Sequence, residues 1–253
     1  MWLAGGLALL ARLNSAAADP TAGETGSAGS ANKSYQEAKA HYQEKPGEAA
    51  AGWQFGRACF DLAEFATTRT ERASLAEQGI AACRQAIARE SNSAPAHYYL
   101  AMNLGQLART RGLSALKLVD QMEREFTRAR DLEEHLDCAG PDRNLGLLYR
   151  DAPVIGSIGS RTKARQHLRR AVELEPLYPE NRLNLIEAYL EWGEHTGAYR
   201  ELQVLENTWP AARTNFAGEA WAASWADWEQ QFRKLQQKIE EPKKPLGAPH
   251  AKP

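Results

Sequence analysis

Few stretches of this 253-residue chain hold side chains spaced for chemistry, and each is incomplete. His135-x-x-Cys138 has the spacing of half a zinc site, but a structural zinc takes four ligands and no second pair accompanies it. The six histidines form no HxxxH or HExxH pair, so no metal site is expected. The run Gly156-Ser157-Ile158-Gly159-Ser160-Arg161-Thr162-Lys163 suggests a phosphate loop, yet its spacing is not GxxxxGK[ST] and no strand precedes it. Two readings stay open there: a plain connecting loop, or an anion site where free helix-terminal amides meet Arg161 and Lys163. The acidic pairs Glu133-Glu134 and Glu240-Glu241 read as solvated helix ends. No GxSxG motif occurs, and no serine or cysteine has a placed base. These residues predict a protein that is not an enzyme and needs no cofactor.

The charges balance, 31 basic against 32 acidic, which argues against nucleic acid as a main partner because phosphate binding needs a concentrated basic face. Residues 1–18, MWLAGGLALLARLNSAAA, combine an apolar run from Trp2 to Ala11 with the small residues Ala16, Ala17 and Ala18 before Asp19. That pattern predicts a signal peptide and an exported protein, periplasmic or secreted, although no Lys or Arg precedes the run. A cytoplasmic protein with an apolar N-terminus is the alternative. No Cys follows the run to take a lipid, and no later run is long and apolar enough to span a membrane. Residues 19–33 are small, polar and Gly-rich and read as a flexible linker. Residues 241–253, with four prolines and no apolar period, read as a disordered tail.

The elements between are repeated. Leu145, Gly146 and Tyr149 are followed by Ala164, Leu168, Ala171 and Pro176; Leu185, Ile186 and Tyr189 by Ala198, Leu202, Leu205 and Pro210. The second group keeps steps of 4, 3 and 5 in both units. Leu100, Ala101 and Leu104, then Met122, Phe126 and Ala129, give an earlier unit. The first has Phe55, Gly56 and Cys59, then Gly79, Cys83 and Ala86. Each first group is one face of a helix on which a small residue permits close approach; each second group is the facing stripe of an antiparallel partner, which a proline ends. Such pairs bury an apolar face only by stacking. Ser34 and Glu37 form a capping-box pattern that opens a short helix ending at Pro46-Gly47. At the far end Trp221, Trp225, Trp228, Phe232, Leu235 and Ile239 recur at steps of 4 and 3, a stripe for a helix that caps the last repeat or forms a self-association seam.

From about residue 34 to 210 these units resemble the tetratricopeptide (TPR) family, most closely in AVELEPLYPENRLNLIEAY. The resemblance implies an all-α fold: about four helical hairpins in a superhelix over residues 34–240, capped by a helix at 217–240. The helix-to-helix gaps are stretched at Thr67–Ala73, Thr110–Leu116 and Asp151–Thr162. In this the chain is similar to a divergent branch that includes the regulator-of-microtubule-dynamics proteins and the TPR proteins associated with TRAP transporters.

The resemblance also implies a binding face. TPR repeat positions place Trp53, Arg57, Phe60 and Asp61 on the concave side from the first unit, and Tyr98, Met102 and Gln106 from the second. Arg143, Leu147, Arg150 and Asp151 follow from the third, and Glu187 and Glu191 from the fourth. Arg143 and Arg150 are expected to reach solvent there. Aromatics, Met and Arg are the types enriched at interface hot spots. The expected partner is a protein or peptide segment; a small ligand of a solute (TRAP-type) transporter is the alternative. Cys59 and Cys83 fall at facing positions of the first hairpin, either as packed thiols or, in an oxidising compartment, as a disulfide; Cys138 stays unpaired.

Overall fold

The computed structural model describes residues 24–112 and 115–240, and among them every regular element is helical. The segment expected to be a signal peptide (1–18), the expected linker as far as residue 23 and the expected tail at 241–253 lie outside the described residues.

Four antiparallel pairs follow one another: α2 (Ala49–Glu64) with α3 (Arg69–Arg89), α4 (Ala94–Ala108) with α5 (Leu116–Leu132), α6 (Leu136–Asp151) with α7 (Arg161–Leu174), and α8 (Pro179–Glu191) with α9 (His195–Asn215). Helix α1 (Glu24–Glu44) packs ahead of them on α2; after them come a 3-10 turn (Glu219–Trp221) and α10 (Ala222–Glu240), which packs on α8 and α9. Pro95 and Pro179 stand in the first turns of α4 and α8, where a missing N–H costs nothing. Thr68 and Ser160 cap α3 and α7 by accepting from the amides of Glu71 and Lys163.

The small residues of the repeat do what their positions imply. A Cβ on Gly56 would stand 2.2 Å from Cys83 Sγ, and one on Gly146 would stand 2.6 Å from Leu168 Cγ. Each pair therefore closes to a distance that only glycine permits. Cys59 and Cys83 are both fully buried in the first hairpin and both are free thiols, so the structure holds packed thiols and not the disulfide. Burial pushes the Cys59 thiol up to about 12 and the Cys83 thiol above its usual range as well. Cys138 is also free.

Four local expectations need correction. The described part of the 19–33 linker is helix, since α1 begins at Glu24. Tyr35 and Tyr42 dock on Phe55 and anchor the segment, and extending a formed helix is far cheaper than nucleating one. Ser34 therefore lies inside α1 and caps nothing. The first gap is not stretched through Ala73, because Thr68 starts α3 directly after a short turn. Pro210 does not end α9, which continues to Asn215. A proline inside a helix costs about 3 kcal/mol. Here Trp209 stacks on Phe232 of α10 (ring centroids 4.7 Å apart), Ala212 is buried, and Thr208 donates its hydroxyl to the Val204 carbonyl, so packing outweighs the break.

Candidate functional site

The first helices of successive pairs touch one another, α2 with α4, α4 with α6 and α6 with α8; among the described residues the second helices show no comparable contact. A stack packed more tightly along one side curves toward it, so the concave face belongs to α2, α4, α6 and α8.

At its N-terminal end Trp53 of α2 stacks parallel on Tyr99 of α4, with ring centroids 6.0 Å apart. The Arg57 guanidinium lies 5.9 Å from the same ring and pairs with Asp61 at 3.6 Å. Phe60, Glu64, Met102, Arg109 and Asn144 line, with Gln106, Met122 and Phe126, a crevice of only about 10 Å³, room for about one water molecule. Gln106 is buried in a polar lattice: it accepts from Arg72 (2.6 Å) and Arg109, and donates to Glu64, which is itself paired with Arg109 at 3.1 Å.

The centre of the face is built on an unusual turn. Asp137, Cys138 and Ala139 all have left-handed backbone (φ 51°, 53° and 61°), which non-glycine residues rarely adopt. Arg143 of α6 holds that turn together. It donates to the Asp137 carboxylate (3.0 Å) and to the carbonyls of Asp137 and Cys138, and it also bonds Asn181 of α8. Glu180 lies 3.6 Å from its Nε, and the guanidinium covers Tyr178. Tyr98 completes the arrangement by donating to Asp137 at 2.6 Å and accepting from Asn144. Burial, with the Asp137 carboxylate beside it, holds the Tyr98 hydroxyl far above its usual range.

The expected lining residues therefore divide. Trp53, Arg57, Phe60, Met102, Glu187 and Glu191 reach the surface, with Asp61. Tyr98, Gln106, Arg143 and Leu147 do not: each is at most 4% exposed. Leu147 belongs to the apolar core with Leu168 and Leu183, and the other three are consumed by the networks above. Arg150 is corrected likewise. Its side chain is 1% exposed, bonded to Asp151 at 2.6 Å and enclosed by Glu187 and Glu191 at 3.4 and 3.5 Å. Repeat position tells which way these side chains point, but not that the next first helix covers them with carboxylates. It does not point to Asp137 either, because that residue sits in a turn ahead of the third unit.

At the start of α7 Arg161 and Arg165 both bind Glu194 and lie over Trp192, and Lys163 approaches Glu123, so the chain's own carboxylates take up the cations of that end. His135 pairs with Glu175, and no cluster of metal-ligating side chains forms among the described residues. No helix among them is long and apolar enough to cross a membrane.

Helical hairpins stacked about a concave face define a TPR-type repeat protein. The family model for regulator of microtubule dynamics protein 1-3 matches residues 21–137. Among solved structures, the chain is similar to a thermophilic TPR protein of Thermus thermophilus (18% identity, 84% of this chain and 94% of that one, TM-score 0.60). It is also similar to the MamA protein (14% identity, 77% and 91% covered, TM-score 0.51). No curated protein matches it in sequence.

Proposed function

We propose that this chain is an exported scaffold that holds an extended segment of a partner protein along α2, α4, α6 and α8. The observation that carries the reading is the parallel Trp53–Tyr99 shelf, with Phe60 and Met102 reaching the surface on the same two helices. It offers apolar and aromatic surface with polar groups at its margin, the composition of a peptide-binding interface.

A photo-crosslinking side chain at Met102 should capture a partner that the same group at Tyr199 or Val204, exposed on α9, does not. Equal capture from α9 would show that the concave face is not the binding surface. Export is supported by residues 1–18 of the sequence. Alkaline phosphatase fused after Asp19 should be active, and inactive when residues 1–18 are removed; activity in neither fusion would sink export.

A further inference from the structure

The connections that lead into the first helix of each pair have a fixed length, with one exception. Four residues lead from α1 to α2 (45–48), four from α3 to α4 (90–93) and four from α7 to α8 (175–178). Seven (133–139) lead from α5 to Gly140, where the right-handed part of α6 begins. The surplus of three equals the left-handed run Asp137, Cys138 and Ala139. Among the described residues no other non-glycine residue has a positive φ. The run is an insertion that the stacking of helical pairs does not require, since the other three connections do without it.

Left-handed backbone is sterically disfavoured at every residue that carries a Cβ, and it persists only where the surroundings over-determine it. Here they do. Tyr98 of α4 and Arg143 of α6 hold the Asp137 carboxylate, and Arg143 also holds the Asp137 carbonyl. The Cys138 carbonyl accepts from Arg143 and from Asn181 of α8. The run ends beneath the Tyr98 ring at a point where glycine is required: a Cβ on Gly140 would stand 2.6 Å from the Tyr98 hydroxyl oxygen. Tyr98 therefore clamps the run at both ends, Asp137 by a hydrogen bond and Gly140 by contact. Its neighbour Tyr99 carries the Trp53 shelf, and the two tyrosine rings meet edge-on with centroids 5.1 Å apart. The shelf and the turn are joined through this pair of residues.

We infer that Asp137–Ala139 is a strained latch between the second and third hairpins, coupled to the Trp53–Tyr99 shelf. While closed, Tyr98 keeps the run left-handed and ties α6 to α4, because its hydroxyl also accepts from Asn144. When that hydroxyl leaves Asp137, the strain drives the run toward ordinary backbone and the seam between the two hairpins loosens on its concave side. A segment packed on the shelf bears on Tyr99 and through it on Tyr98. Occupancy of the shelf and the state of the latch then bias each other. The coupling takes the role of the shelf from the scaffold reading; the strain and the clamp stand without it.

The test is hydrogen exchange of the full chain, read by mass spectrometry in peptides covering 133–140, with α3 and α9 as controls. Tyr98→Phe removes the hydroxyl and keeps the ring. It should speed exchange in 133–140 at least about tenfold and leave α3 and α9 as they were. Adding Cys138→Gly should slow that exchange again, because glycine relieves the left-handed strain. An ordinary loop gives the opposite sign, since glycine there only adds freedom. The thermal midpoint supplies a second reading. Cys138→Gly should melt about 2–4 °C above Cys138→Ala, whereas right-handed or extended backbone places alanine above glycine. Trp53→Ala should also speed exchange in 133–140 while α9 stays unchanged. Unchanged exchange in Tyr98→Phe, acceleration of all regions alike, or further acceleration by Cys138→Gly overturns the latch, as does a lower midpoint for Cys138→Gly than for Cys138→Ala. Unchanged exchange in Trp53→Ala overturns the coupling to the shelf. None of these measurements uses a partner, so the latch and the capture at Met102 fail separately.

Discussion

Arg143→Ala is expected to lower the melting temperature by about 10 °C, while Arg57→Ala leaves it almost unchanged. The two arginines look equivalent in the repeat pattern, but Arg143 is 5% exposed at the side chain and Arg57 59%. Removing one partner of a buried ion network costs about 3–5 kcal/mol, and in a domain of this size each kcal/mol moves the melting temperature by about 2–4 °C. The loss goes beyond a pair of charges. Without the guanidinium, the Asp137 and Cys138 carbonyls lose a donor, Glu180 loses its cation, and the hydrogen bonding of the left-handed turn to α8 falls back on the Asn181 amide at the Cys138 carbonyl. Arg143→Lys should recover little, because an ammonium cannot span carboxylate, two carbonyls and a carboxamide as a planar fork does. Thermal unfolding followed by circular dichroism checks this; an unchanged midpoint for Arg143→Ala would show that the turn stands without it.

Deleting residues 217–253 should turn a soluble protein into an aggregating one. Trp225 and Trp228 are 6% and 3% exposed, packed with Tyr178, Leu202, Leu205 and Phe216 in one apolar cluster. Trp225 also donates its indole N–H to the Phe216 carbonyl at 2.7 Å, which fixes α10 against the end of α9. Truncation of one such aromatic costs about 3–5 kcal/mol, and loss of the helix bares the whole cluster as a patch. Size-exclusion chromatography should show large species, and Trp228→Ala should give a milder loss of stability without them. A soluble truncation of equal stability would mean that α10 is an appendage. The stripe of Trp225, Trp228 and Leu235 is buried within its own chain, as a cap requires.

The hairpins were legible because their signals are local and redundant. Gly56, Gly146, Pro176 and the 4-3 spacing of the tryptophans each report a close approach, a helix end or a buried stripe from a few neighbouring residues. The lining was legible only in part. Trp53, Arg57, Phe60 and Met102 lie where their positions imply, but the fate of Arg143 and Arg150 depends on Asp137, Glu180, Glu187 and Glu191, 6 to 41 residues distant in sequence and brought together by stacking. Pro210 failed as a stop for the same reason: its local cost is overcome by aromatic rings on α10. Charge pairing and aromatic packing between repeats have no fixed spacing, so periodicity cannot carry them.

The buried thiols give the stack a clock at each of two stations. Cys59 and Cys83 lie in the first hairpin with no exposed surface, and Cys138 lies at the left-handed turn, half-buried, its thiol pushed up to about 11 by burial. Thiols raised in this way react slowly with alkylating reagents, and the fully buried pair react only when their surroundings open and let them ionise. In a chain of nearest-neighbour contacts, the ends and the middle open independently. The rate at which each cysteine becomes reactive therefore measures the opening of its own segment, and the difference between Cys83 and Cys138 maps how far an excursion begun at the N-terminal hairpin travels before the central turn stops it.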